Sequence, residues 1–171
     1  MPSHFETRQS PYSPEQLMAM VLDVKKYPEF LPWCRAARIV ERHENYFLGE
    51  LVISFNHLSE RYTSKVMALK NEIKVELVKG PFKHLTNHWH FEPIPLIIPA
   101  KAVISLDPSA PLERDSRLRS NDNSGGGTNI HFHLDFEFKS KLLDTLMGGL
   151  FTRATEKMTM AFMTRADTLY K

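Results

Sequence analysis

Two periodicities divide the chain. Leu17, Met18, Val21 and Leu22 recur at helical spacing and form one apolar face. Just ahead of them Ser13 is a good N-cap, Pro14 suits the first helical position and Gln16 completes a capping box, so a helix starts there. His4 to Arg8 reads as a short edge strand. Pro28 and Pro32 break the chain after the helix, and Lys25 to Phe30 is expected to form a short second one. From about Ala36 the period falls from 3.6 to 2. Leu51, Ile53 and Phe55 alternate with polar positions, then Tyr62, Ser64, Val66 and Ala68, then Ile73, Val75 and Leu77 between Glu72, Lys74 and Glu76. His84 to Phe91 is a further strand with Leu85, Trp89 and Phe91 on one face. In the last strand Phe132, Leu134, Phe136 and Phe138 share one face, and His131, His133, Asp135 and Glu137 the other.

Consecutive strands joined by short loops imply an antiparallel meander with one apolar face, and that face needs a cover. The long candidate is Lys141 to Tyr170, whose Leu143, Leu146, Met147, Leu150, Ala154, Met158, Ala161, Phe162 and Leu169 follow helical spacing. A long amphipathic helix across a curved antiparallel sheet is an α+β architecture. Gly148-Gly149 sits inside that helix, either as a hinge or as a break between two helices; each glycine costs roughly 0.5–1 kcal/mol relative to alanine. The stretch from Glu92 to Thr128 interrupts the pattern. It is rich in proline, carries Leu96-Ile97-Ile98 between Pro95 and Pro99, and ends in a linker-like Ser120 to Gly127. Its apolar part is expected to be an extra strand packed on the domain or a lid that inserts into a bilayer interface.

Composition narrows the function classes. The 171 residues suit one domain, and 42% hydrophobic with 25% charged residues is ordinary for a globular protein. A formal net charge of +2 lacks the basic footprint of a dedicated nucleic-acid binder. Arg114, Arg117 and Arg119, with Lys139, Lys141, Arg153 and Lys157, form only a modest cationic surface. The lone Cys34 forms no internal disulfide, which points to a reducing compartment. Neither a signal peptide nor an apolar run of roughly 20 residues is present, so a cytoplasmic protein is expected, with peripheral contact at the inner face of the membrane.

Several segments resemble one family. Asp23-Val24 through Tyr27-Pro28-Glu29-Phe30-Leu31-Pro32-Trp33-Cys34 resembles the "DV..YP.FLPWC" signature of the coenzyme Q-binding proteins, within the START-like superfamily that also holds polyketide cyclases and dehydrases. Glu60 to Val66 is similar to its "E.(F/Y)TS.V" strand. Gly80-Pro81-Phe82-Lys83-His84-Leu85 with Trp89 and Phe91 is similar to its "GPFK.L...W.F" segment. Leu134 to Phe138 resembles "LDFEF", and Ala161-Phe162 with Arg165-Ala166 its last helix. The resemblance implies a helix-grip (START-like) fold for a single domain over 1–171, a hydrophobic tunnel between sheet and C-terminal helix, and a carrier or chaperone role for ubiquinone in respiration or quinone biosynthesis. It departs from the family at 94–127, where the family has a short hairpin. Some relatives are ribosome-association toxins, and some superfamily members are cyclases. Ribosome association and a cyclase or dehydratase activity therefore stay open as alternatives.

On this reading the tunnel is lined from the sheet by Phe55, Tyr62, Ser64, Phe82, Trp89, Phe91, Phe132, Leu134, Phe136 and Phe138. The helix contributes Leu143, Leu146, Met147, Leu150, Met158 and Phe162, and the aromatic loop Phe30, Leu31 and Trp33 forms the mouth. An ordinary packed core has the same pattern. Tyr62 and Ser64 point inward and can donate hydrogen bonds to a quinone carbonyl. Asp135 and Glu137 point outward, and GxSxG, HExxH, P-loop and GxGxxG motifs are absent, so no catalytic residue is assigned. His84, His88, His90, His131 and His133 are read as a solvated polar face, not a metal site. Ubiquinone or another isoprenoid lipid is the expected ligand, bound without any cofactor chemistry. Expected partners are respiratory or quinone-biosynthesis proteins, with the ribosome as the alternative.

Overall fold

The computed structural model describes residues 3–55, 58–95, 126–148 and 150–171, with the backbone alone at residues 55, 147, 148 and 151. β1 (Ser3–Ser10) leads into α1 (Pro14–Leu22), a 3₁₀ turn (Val24–Lys26) and α2 (Tyr27–Phe30). Five strands follow in a meander: β2 (Cys34–Arg42), β3 (Tyr46–Phe55), β4 (Leu58–Leu69), β5 (Glu72–Lys79) and β6 (Phe82–Pro93). Then come β7 (Thr128–Phe138), α3 (Lys141–Gly148) and α4 (Phe151–Tyr170).

The described strands form one antiparallel sheet in the order β1-β7-β6-β5-β4-β3-β2. The excursion through α1 and α2 thus carries the chain from one edge of the sheet to the other. Register shifts at Cys34/Ala36, Ile39/Glu41, Thr63/Ser64 and Phe82/His84 mark bulges, the device by which strands bend and a sheet curves. With the α-helices on its inner side this is the α+β helix-grip, START-like architecture.

The capping box of α1 forms as its sequence dictates. Gln16 N–H donates to Ser13 Oγ at 3.2 Å, and Ser13 N–H to Gln16 Oε1 at 3.0 Å. The C-terminal cover of Lys141 to Tyr170 is the short α3 followed by the long α4, the break between two helices that is one of the two readings of Gly148-Gly149. α3 ends at Gly148, and α4 starts at Phe151 behind Leu150, whose N-cap position makes no side-chain bond. Glycine's low helix propensity accounts for an interruption here. The far end of α4 is stitched to the N-terminal layer: Tyr170 Oη donates to the Gln16 carbonyl at 2.7 Å, and Tyr12 Oη to Asp167 Oδ1 at 2.6 Å.

The buried apolar residues fall into two clusters. The larger holds Leu17, Ile73, Trp89, Phe91, Phe132, Phe162 and Ala166, under α1 and α4. The smaller holds Phe82, Leu85, Phe136 and Phe138, with Leu143 of α3 against it. The excursion at 94–127 springs from the tip of the β6–β7 hairpin, where Ile94 N–H donates to the Gly127 carbonyl at 2.9 Å and Gly126 N–H to the Ile94 carbonyl at 3.0 Å. Gly127 has φ +94°, and a Cβ there would lie 2.2 Å from the Ser10 carbonyl oxygen, so the return into β7 requires glycine. The expected strand or lid around Leu96-Ile97-Ile98 and the Arg114, Arg117, Arg119 cluster lie outside the described residues. No helix among the described residues is long and apolar enough to cross a membrane.

Candidate functional site

A cavity of about 170 Å³ lies between the two clusters. The inner faces of β3 to β7 form its floor, α4 its roof through Ala154, Thr155, Met158 and Phe162, and the α1–β2 segment one wall through Val21, Val24, Tyr27, Leu31, Trp33 and Cys34. Aromatic rings set its shape. Trp89 meets Phe162 edge-on at 5.1 Å and Phe132 at 4.7 Å, while Phe82 stacks on Phe138 at 4.8 Å and meets Tyr62 edge-on at 5.4 Å.

Of the side chains expected to line a tunnel, Leu31, Trp33, Tyr62, Ser64, Phe82, Trp89, Phe132, Leu134, Phe136, Phe138, Met158 and Phe162 surround this cavity. The others are elsewhere. Phe91 is fully buried beside Trp89, in the core that α1 covers, so it packs instead of lining. Phe30 stands edge-on to Phe162 at 5.1 Å but faces the outer groove between α2 and α4, with the Arg165 guanidinium over its ring. Leu143 packs on the smaller cluster from outside. Leu146, within α3, and Leu150, at the junction before α4, point to solvent, 51% and 39% exposed. The side chains of Phe55 and Met147 lie outside the described residues.

Three lining residues carry polar groups that the alternation pattern passed over. Asn87 holds an inward position between Leu85 and Trp89; it accepts from Trp89 Nε1–H at 2.8 Å and donates to the His133 carbonyl at 3.0 Å. The signal was a lone amide on an apolar face. Tyr27 donates its hydroxyl to the Val21 carbonyl, and Thr155 sits on the roof. Tyr62 and Ser64 differ from these: both line the cavity, and neither hydroxyl makes a hydrogen bond among the described residues.

No Asp, Glu, His, Lys or Arg side chain is among the described lining residues. Burial pushes the Tyr27 and Tyr62 phenols above their ordinary value and the Cys34 thiol up to about 11. Every titratable lining group is therefore neutral at neutral pH. Such a chamber can solvate an apolar ring and offer it hydroxyl donors, but it has no group poised to exchange a proton near neutrality.

The sheet's outer face is polar. His88 lies opposite His133, and His90 opposite His131, where the two rings stack at 5.6 Å. Carboxylates accompany these imidazoles: His131 Nε2 is 3.0 Å from Glu92 Oε2, and His84 Nε2 is 3.5 Å from Asp135 Oδ1. Among the described residues no three His, Cys, Asp or Glu side chains converge as a metal site.

Residues 10–163 match the family described as "Polyketide cyclase / dehydrase and lipid transport". The chain belongs to that family. Its members share this START-like, hydrophobic-ligand-binding domain. The ribosome association toxin RatA of Rickettsia prowazekii is 34% identical, and the alignment covers all of both chains. The mitochondrial coenzyme Q-binding protein COQ10 of Dictyostelium discoideum is 27% identical over 96% of this chain and 68% of its own. The similarity to this coenzyme Q-binding protein is thus lower than that to RatA. The 18 kDa protein CC1736 from Caulobacter crescentus superposes with a TM-score of 0.67 at 30% identity, over 99% of each chain. A START superfamily protein from Mycobacterium smegmatis superposes with a TM-score of 0.70 at 17% identity, over 98% of each.

Proposed function

We propose that this chain is a non-catalytic carrier of a ring-bearing lipid, with ubiquinone the leading ligand, held in the cavity between the sheet and α4. The observation that carries the reading is the pairing of an uncharged aromatic wall with the hydroxyls of Tyr62 and Ser64, which have no partner among the described residues. An unpaired hydroxyl in an apolar site is unfavourable until a ligand acceptor meets it, and a quinone ring presents such acceptors on an apolar frame. The size is informative too. An apolar cavity of about 150 Å³ holds a benzene-sized molecule, whereas pockets for larger ligands run to about 300–1,000 Å³. At about 170 Å³ the chamber suits a headgroup. A polyprenyl tail exceeds it, so the tail leaves beneath α3, and its burial stabilises the complex by roughly 25 cal/mol per Å² of apolar area.

Native mass spectrometry with organic extraction tests the reading. A stoichiometric quinone on the purified protein, or saturable uptake of a short-tailed ubiquinone by the apo form, is the expected result. A protein that arrives empty and takes up no quinone sinks it.

The full-length similarity to RatA supports a second reading, association with the ribosome. Sedimentation through a sucrose gradient separates the two: co-migration with ribosomal particles that added quinone does not alter favours this alternative.

A further inference from the structure

The smaller apolar cluster marks one end of the molecule. The β5–β6 turn, the end of β7 and α3 meet there: Phe82 pairs with Phe138, and Lys139 N–H donates to the Pro81 carbonyl at 2.8 Å. Exposed apolar side chains stand on this end. Leu142 is 70% exposed and Leu146 51%, one helical turn apart on α3, and Leu150 follows at the junction with α4. Apolar side chains gathered at one place, unlike scattered ones, mark a surface that something covers.

Cations flank this surface. Lys79, Lys83, Lys139 and Lys141 are exposed at the same strand ends, and Lys139 and Lys141 have no ion-pair partner among the described residues. Leu143, on an adjoining side of α3, packs on Phe82, Leu85, Phe136 and Phe138, all of which also wall the cavity. One short helix thus has Leu143 on the chamber wall and exposed leucines beside it, with Lys139 and Lys141 at its start. Leucines among lysines are the chemistry of an interfacial helix: the apolar side chains enter the acyl boundary and the ammonium groups meet anionic headgroups.

We infer that α3, with the β5–β6 turn beside its start, docks on the surface of an anionic lipid bilayer and turns the α3 side of the cavity toward it. The inference deepens the carrier reading and rests on it for its purpose, because docking in this pose aligns the path of a lipid tail with the membrane.

The test is flotation of the full chain with vesicles of phosphatidylglycerol and phosphatidylcholine in equal parts, and with phosphatidylcholine alone. The wild type is expected to float with the mixed vesicles and to be released by high salt. Leu142→Gln/Leu146→Gln should weaken binding by about ten-fold per leucine, while its melting temperature and its uptake of short-tailed ubiquinone stay unchanged. Lys139→Glu/Lys141→Glu should lower affinity for the mixed vesicles alone. A wild type that floats with neither vesicle, equal flotation on neutral vesicles, or a leucine variant that floats like the wild type each overturns the inference. So does a leucine variant that keeps its vesicle binding but loses co-sedimentation with ribosomes. Leucine-dependent flotation of a protein that binds no quinone would leave the docking surface standing and remove the carrier reading.

Discussion

On either side of the cavity the same sheet puts the same kinds of side chain to different use. Toward the α1 side, Leu17, Ile73, Phe91 and Ala166 are completely buried and interlock with Phe132 and Phe162. Toward α3, Tyr62, Phe82, Phe136 and Phe138 stand in similar positions on the same strands, yet a void opens among them and Ser64. The difference lies in what covers them. α1 packs across β6 and fills the first half. Over the second half the first two turns of α4 offer the small Ala154 and Thr155, which leave room. Solid core and hollow chamber are distinguished by the volume that a helix brings, not by the strand pattern beneath it.

The sharpest way to break this comparison is to remove one large side chain from each half. Phe91→Ala should destabilise the fold by about 3–5 kcal/mol, since it opens a new void in close-packed core. Leu134→Ala, on a wall that already borders empty space, should lose roughly half as much or less. Urea unfolding measures both, and equal losses would show that the hollow half is no looser than the solid one. Next in size is an addition. Ala154→Leu places extra volume in the chamber and should leave stability within about 1 kcal/mol, but should weaken uptake of a short-tailed ubiquinone by at least ten-fold in a tryptophan-quenching titration.

A smaller effect comes from Tyr62→Phe. The hydroxyl has no partner among the described residues, so the melting temperature should not fall. Ligand affinity measured by calorimetry should drop by about five-fold, the worth of one hydrogen bond. The smallest concerns Cys34, whose thiol burial raises from 9.0 to about 11. Below pH 9 the thiol is protonated in both folded and unfolded chains, so its full contribution is present. As pH rises from 9 toward 11 the unfolded chain ionises first, and stability falls. Cys34→Ala should flatten that alkaline decline in the urea midpoint relative to wild type, and a decline of the same steepness in both would mean that the thiol is not buried.

The two periodicities made the sheet and its apolar face legible. The run Phe132, Leu134, Phe136, Phe138 points inward as its alternation requires, and Ser13 with Gln16 placed the start of α1 to the residue. What local pattern cannot carry is long-range pairing. β1 sits beside β7, the strand most distant from it in the chain, and nothing within Ser3–Ser10 encodes that choice. The same limit separates Phe91 from Trp89. They share a face and stack at 6.0 Å, yet only Trp89 borders the cavity, because the docking of α1 decides which inward side chain is covered. Leu146 and Leu150 followed the helical stripe of a single long helix; in the structure Leu143 alone of the described α3 stripe packs on the sheet, Leu146 is exposed on the same helix, and Leu150 falls in the junction before α4. Asn87 was readable in principle, as an amide where an alternating strand calls for an apolar residue.

The anchoring of α4 has a mechanical meaning. Near its C-terminal end the helix is tied by Tyr170 to Gln16, by Asp167 to Tyr12 and by Arg165 to Glu29, while Leu150 at its start supplies no side-chain cap. Thr159 ties its middle to Glu6 and Arg8 of β1, so the helix is held from its middle to its C-terminal end like a cantilever, in which a given bending force displaces the tip far more than the root. Ala154 and Thr155 ride close to the tip, and Phe162 lies nearer the root. A small tilt about the clamp therefore widens the chamber on its α3 side and leaves the aromatic contacts of Phe162 with Tyr27 and Trp89 almost still. The chamber can thus change its capacity without giving up the core that holds the fold together.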